Sequence, residues 1–285
     1  MEIIWGMSMP KLARFVAFSS GVFAMVLIIL LRTYAAAAED PGDRPMNFIL
    51  VSDGDCSDTC VQWVSAEGAI THATPTRFAA FLATLKNRKL PIVIQSVGGD
   101  VDAALAIGQM IRNRKLDTAI GRTQLNDCPM LDPRCKEKMV KGGWSSGTVR
   151  SGGAYCFSAC PFVVAGGVKR AASPNTSIGL HQITNGTKDQ NYGGVSRRNL
   201  DAISTRKDDR IEEKLGTYLD AMGVRSKDVF AMMGLATPDG LYSVLDEEAL
   251  KTGLITKVYS LEEEPGFAFT PKVSKTPIMK SKPKG

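Results

Sequence analysis

The chain has 285 residues, of which 44% are hydrophobic and 22% charged, a globular composition that excludes wholesale disorder and suits one large domain or two small ones. Two histidines, His72 and His181, leave no material for a histidine-rich metal centre, and six cysteines are too few for a disulfide-built miniprotein. The 35 Lys and Arg against 29 Asp and Glu give +6, but much of that surplus sits at the two ends, so it does not by itself point to an anionic partner.

The N-terminus reads as an address. Phe15 to Leu31 carry no charge, Lys11 and Arg14 precede them, and Arg32 and the run Ala35 to Ala38 follow: a basic start, an apolar middle and a small-residue exit, the layout of a secretory leader. Cleavage after Ala38 removes Lys11, Arg14, Arg32 and Glu2 and leaves 32 basic against 28 acidic groups, or +4. The alternative is an uncleaved membrane anchor, since the apolar run reaches the lower limit for spanning a bilayer. In both cases the body of the chain, residues 39–265, is expected outside the cytoplasm.

Residues 61–70 are expected to form a strand interrupted by Gly68. Thr74-Pro75 opens a helix whose Phe78, Phe81, Leu82 and Leu85 fall on one stripe. Pro91 to Gln95 form a short β-branched run, then Ser96-Val97-Gly98-Gly99 leads to a helix capped by Asp100 with Ala104, Ile107, Gly108 and Ile111 on one face. A strand near Thr118 to Gly121 follows. Strand, helix, strand at this spacing implies an α/β fold with a parallel sheet covered by helices.

Residues 122–153, rich in Gly, Pro, Asp and Ser, read as an irregular surface insertion. Ala154 onward makes a turn into a short helix, because Pro161 is tolerated only in a first turn; Ser158 then stands at the helix start. Ser177 to Gln182 form a strand that includes His181. A charged helix runs from about Val195 to Met222, and a brief helix at Asp246 to Lys251 closes at Gly253 before a strand at Leu254 to Val258. Residues 266–285 form a basic tail with too little apolar surface to offset the entropy of ordering it.

The cysteines fall in three near pairs, Cys56 and Cys60, Cys128 and Cys135, Cys156 and Cys160. The C-x3-C and C-x6-C spacings without a nearby histidine disfavour zinc and favour disulfides in an oxidising compartment; spacing does not fix the pairing.

Acyl transfer needs a nucleophile, a base, and backbone N–H groups aimed at the developing oxyanion. Ser158 at a helix start supplies a hydroxyl; the N–H groups of Ala159 and Gly99 are the candidate oxyanion donors, and His181 is the candidate base. His72 reads as a loop residue before the Thr74 helix. The same residues have simpler uses: Gly98-Gly99 as a turn, Ser158 as a cap, His181 as a hydrogen-bonded histidine.

Taken in order, Ser96-Val97-Gly98-Gly99-Asp100, then Gly153 to Cys160 around Ser158, then Val168-Lys169-Arg170, then Pro174 to Gln182 with His181, resemble the proteolytic subunit of Clp protease. The cysteine-flanked serine and the Trp63 to Ile70 stretch are more similar to its exported bacterial relatives. The resemblance covers roughly residues 56–258. It implies the Clp/crotonase superhelix of β-β-α units, Ser158 as nucleophile, His181 as base, Gly99 and Ala159 as the oxyanion hole, no cofactor, and a homo-oligomer acting on peptides or unfolded segments. Three departures stand out. Val97 replaces the family's proline, and Cys156 and Cys160 bracket the serine. The third triad member is matched only by Asp239, about two residues out of register, with Asp246 behind it.

The chain has no G-x4-G-K-[ST] loop, and with an expected place outside the cytoplasm an ATPase partner is not anticipated, nor is nucleic acid. A catalytically inactive envelope module of the same fold is the competing expectation. A crotonase-type acyl-thioester enzyme is a third, disfavoured away from the coenzyme A pool.

Overall fold

The computed structural model describes residues 40–54, 60–183, 209–236 and 240–259; the leader, the C-terminal tail, Cys56 and Asp239 lie outside them. Thirteen strands are present among the described residues: β1 (Asn47–Asp53), β2 (Val61–Glu67), β3 (Ile92–Gln95), β4 (Thr118–Ile120), β5 (Arg122–Leu125), β6 (Cys128–Pro129), β7 (Trp144–Ser146), β8 (Thr148–Arg150), β9 (Tyr155–Phe157), β10 (Arg170–Ala172), β11 (Ser177–Leu180), β12 (Tyr242–Val244) and β13 (Lys257–Val258). The helices are α1 (Thr74–Thr84), α2 (Val101–Asn113), α3 (Cys160–Ala165), α4 (Asp209–Ala221), α5 (Ser226–Met233) and α6 (Asp246–Thr252). The helix expected from Val195 is described only from Asp209 onward.

A seven-stranded sheet ordered β13-β10-β4-β3-β2-β1-β7 forms the frame. β2, β3, β4, β10 and β13 run parallel, while β1 is antiparallel to β2, so the fold is mixed α/β with a mostly parallel central sheet. The β2–α1–β3–α2–β4 sequence is the reason, because parallel neighbours require crossovers and the helices supply them.

The expected stripe on α1 is partly confirmed: Phe78 and Leu82 are buried, as is Leu85 at the C-cap, whereas Phe81 is only partly covered. On α2, Ala104, Ile107, Gly108 and Ile111 are buried, and Asp100 caps the helix by accepting from the Ala103 N–H at 2.8 Å. These helices cover one face of the sheet with Val64, Ala66, Ile92 and Ile94.

The other face corrects the reading of residues 122–153 as irregular surface. That stretch carries β5 to β8, and its Leu125 and Met130 pack with Trp63, Val93 and Ala119 into a second core. Trp63 Nε1 donates to Thr123 Oγ1 at 3.2 Å, tying the segment to β2. β1 had no counterpart among the expected elements, and the last strand is shorter than expected, Lys257–Val258. No helix among the described residues is long and apolar enough to cross a membrane.

Candidate active site

A second, three-stranded sheet, β12-β11-β9, positions the site. β9 and β11 are parallel with Phe157 opposite Gly179. Ser158 therefore follows the end of β9 just where His181 follows the end of β11. The Ser158 N–H donates to the Gly179 carbonyl at 2.9 Å, fixing this register to the last residue. Ser158 has φ +58°, in the left-handed region that non-glycine residues rarely enter. That turn leads the chain off β9 and into α3.

The Ser158 hydroxyl and His181 Nε2 lie 2.7 Å apart, and His181 Nδ1 lies 2.8 Å from the Gln182 carbonyl oxygen. A carbonyl only accepts, so Nδ1 must carry the proton. Nε2 then presents its lone pair and the Ser158 O–H donates to it. This is the tautomer a general base requires. No carboxylate pairs with His181 among the described residues: Asp246 stands at the start of α6 without a bond to it.

The Ser96 bridge brings the diglycine alongside. Ser96 N–H donates to the Tyr155 carbonyl and Phe157 N–H to the Ser96 carbonyl, which stitches the end of β3 onto β9. Ser96 Oγ, fully buried, accepts from Gly98 N–H at 3.0 Å. Gly98 and Gly99 have φ +98° and +134°. A Cβ on Gly98 would lie 2.5 Å from Ser158 Cβ and 2.9 Å from Ala159 N; one on Gly99 would lie 2.1 Å from the Ile70 carbonyl oxygen. Glycine is required at both positions by conformation and by space.

The N–H groups of Gly99 and Ala159 donate no hydrogen bond among the described residues. Two uncommitted backbone donors beside a serine–histidine pair have the composition of an oxyanion hole. Val97, where the resemblance calls for proline, leaves the Gly99 N–H uncommitted.

Cys156 and Cys160 form a disulfide across Ser158, with Cα atoms 5.2 Å apart and both residues fully buried. Cys128 and Cys135 form another within the insertion. Cys60 is also disulfide-bonded. His72 is a side-chain-exposed loop residue 3.7 Å from Asp100, and Asp239 lies outside the described residues.

One contributor to the site, and one buried acid away from it, escaped sequence reasoning. The Gln182 carbonyl that sets the His181 tautomer is backbone, so no residue type announces it. Glu67 is 2% exposed at the end of β2, and a lone acid closing an otherwise uncharged strand was the available signal. Burial pushes its carboxyl up to about 7, against smaller lowering contributions from the Thr123 N–H, the Ser65 and Thr123 hydroxyls and Arg122.

No family model matches the chain, and no curated protein matches it. Among solved structures it is similar to a mutant of the 1510-N membrane-bound stomatin-specific protease, at 20% identity and TM-score 0.42 over 68% of this chain and 77% of that one. It is also similar to ClpP1 from Listeria monocytogenes, unaltered and as a point mutant, each at 16% identity and TM-score 0.40 over 67% of this chain and 87% of the other.

Proposed function

We propose that this chain is an exported, ATP-independent serine peptidase of Clp-like type. The observation that carries the reading is the 2.7 Å contact between Ser158 Oγ and a His181 ring whose Nδ1 is held by the Gln182 carbonyl. Ser158 Oγ attacks the peptide carbonyl carbon as its proton passes to His181 Nε2. The carbonyl oxygen, now negative, is received by the N–H groups of Gly99 and Ala159. The imidazolium then returns its proton to the departing amine nitrogen, the C–N bond breaks, and an acyl ester on Ser158 remains. Water, deprotonated by the same Nε2, hydrolyses that ester and regenerates the serine.

Asp239 is proposed as the carboxylate that stabilises the imidazolium, because the Gln182 carbonyl offers a dipole where a full negative charge serves better. Removal of a leader at residues 1–38, a catalytic domain over 39–265 and a solvated tail at 266–285 complete the reading. Attachment to the membrane through an uncleaved leader is the variant of it. The disulfides Cys128–Cys135 and Cys156–Cys160 support an oxidising compartment. Peptides or unfolded segments are the proposed substrates, hydrolysed within a homo-oligomer.

A fluorophosphonate probe tests the proposal. Folded, oxidised protein should be labelled at Ser158, while Ser158→Ala should not be labelled and His181→Ala should react at least about a hundredfold more slowly. Absence of labelling of the folded wild-type protein would refute the peptidase reading.

A further inference from the structure

The insertion does more than cover the second core. Together with the segment before β1 and the start of α1 it encloses a pocket of about 270 Å³. Glu67 lines it. The Ser65 Oγ and the Thr123 N–H both donate to its Oε1, with the Thr123 hydroxyl also acting on the carboxyl, and no hydrogen bond reaches Oε2 among the described residues. Polar oxygen at the bottom of a pocket, with one acceptor position unused, is an arrangement that a bound N–H group completes.

The mouth has a different character. Arg44, Arg77 and Lys136 reach it from three separate elements, and none forms a salt bridge among the described residues. Asp132, the other acid of the lining, is already engaged by Arg134 at 2.6 Å. Three cations therefore line the pocket without a salt bridge among the described residues, although Arg44 also feels the Asp132 carboxylate at longer range. The rest of the lining is mostly apolar, with Pro45, Met130, Leu131, Pro133 and Met139 beside Asn47. The stretch that supplies Met130, Asp132 and Lys136 to the lining is tied by a fully buried Cys135 bonded to Cys128.

A ligand matched to this pocket carries one carboxylate for the cations, an N–H a few ångströms away for Glu67, and an apolar group for the methionines. We infer that the pocket roofed by the insertion binds the carboxyl-terminal end of a peptide whose last residue is apolar. Its carboxylate sits among Arg44, Arg77 and Lys136, and its last amide N–H donates to Glu67 Oε2. The volume lies just below the range of drug-sized sites, which admits one or two residues and no more. A phosphate fits less well, because it brings a second negative charge beside Glu67 and leaves the apolar walls without contact. This site is separate from Ser158, and its occupancy is measured without reference to catalysis.

Calorimetric titration of the full chain carrying Ser158→Ala, so that no turnover intervenes, tests the inference. N-acetyl-Ala-Leu with a free carboxylate should bind saturably, in the high-micromolar to low-millimolar range expected of so small a ligand. Its C-terminal amide should bind at least tenfold more weakly, as should hexanoate, which keeps the carboxylate and the apolar chain but has no N–H. Inorganic phosphate should not compete. The double variant Arg44→Ala/Arg77→Ala, whose side chains line the pocket and hold no salt bridge among the described residues, should lose at least tenfold in affinity for the acid while melting as the parent does. Equal binding of acid and amide, equal or tighter binding of hexanoate or phosphate, or an unchanged double variant would each overturn the inference. Absence of any saturable heat up to the solubility of the peptide would do the same.

Discussion

Replacing Glu67 by glutamine should remove a pH dependence from the stability of the fold. In the folded protein the carboxyl is held up to about 7 from an ordinary 4.5, so between those values the native state binds a proton that the unfolded chain does not. Stability from this group is therefore complete below about pH 4.5 and is lost as pH rises through about 7. The gap corresponds to about 3.4 kcal/mol in total, of which about 2.5 kcal/mol is lost between about pH 5 and pH 8. A glutamine in this place would keep an Oε1 to accept from Ser65 and the Thr123 N–H but would carry no charge to bury. Urea unfolding of wild type and Glu67→Gln at about pH 5 and pH 8, followed through the buried Trp63, gives the difference with all other titrating groups cancelled. The variant should gain on wild type by about 2 to 3 kcal/mol between those two conditions. Parallel curves for the two proteins would mean that the Glu67 carboxyl is hydrated in the native state, and the reasoning from burial would fail.

Further predictions concern the serine turn. Gly98→Ala should cost about 1 to 2 kcal/mol from its backbone angle alone; its new Cβ would also press on Ser158 Cβ, so probe labelling should disappear together with a lowered Tm. Joint replacement of Cys156 and Cys160 by Ala should cost about 2 kcal/mol and slow fluorophosphonate labelling at temperatures where the protein remains folded by circular dichroism. Asp239→Asn should slow turnover of a fluorogenic peptide by at least about tenfold without moving Tm, whereas Asp246→Asn should leave turnover alone; unchanged rates in both would assign the support of His181 to the Gln182 carbonyl by itself.

How much of this was written plainly in the residues depends on the length of each pattern. The Phe78–Leu82–Leu85 stripe and the Asp100 cap are helical signals with several residues in phase, and they survive in the structure almost unchanged. His181 could be singled out because the chain has only two histidines, whereas the chain has five Gly-Gly pairs and many serines, so Gly98-Gly99 and Ser158 stood out only by their order along the chain; the convergence of all three depends on the β9–β11 register, which no local pattern encodes. Residues 122–153 misled for the opposite reason. Their strands are two to four residues long and partly polar, too short for alternation to declare itself, and their burial comes from Trp63 and Val93 far away in the chain. β1, buried along Phe48 to Ser52, likewise offers an unbroken apolar run with no period to read.

The bond between Cys156 and Cys160 gives the molecule a chemical memory of where it matured. It joins two residues with no solvent-accessible surface, so a thiol reagent must wait for local opening before it can reach either sulfur. Chains folded in a reducing host would thus arrive with the serine turn untied and would not be remade by later exposure to air unless they opened. Chains folded under oxidation would keep the tie through ordinary handling in mild reductant. Two preparations of identical sequence and matching secondary structure would then differ in reactivity according to their history, and mass analysis of that one loop would tell them apart.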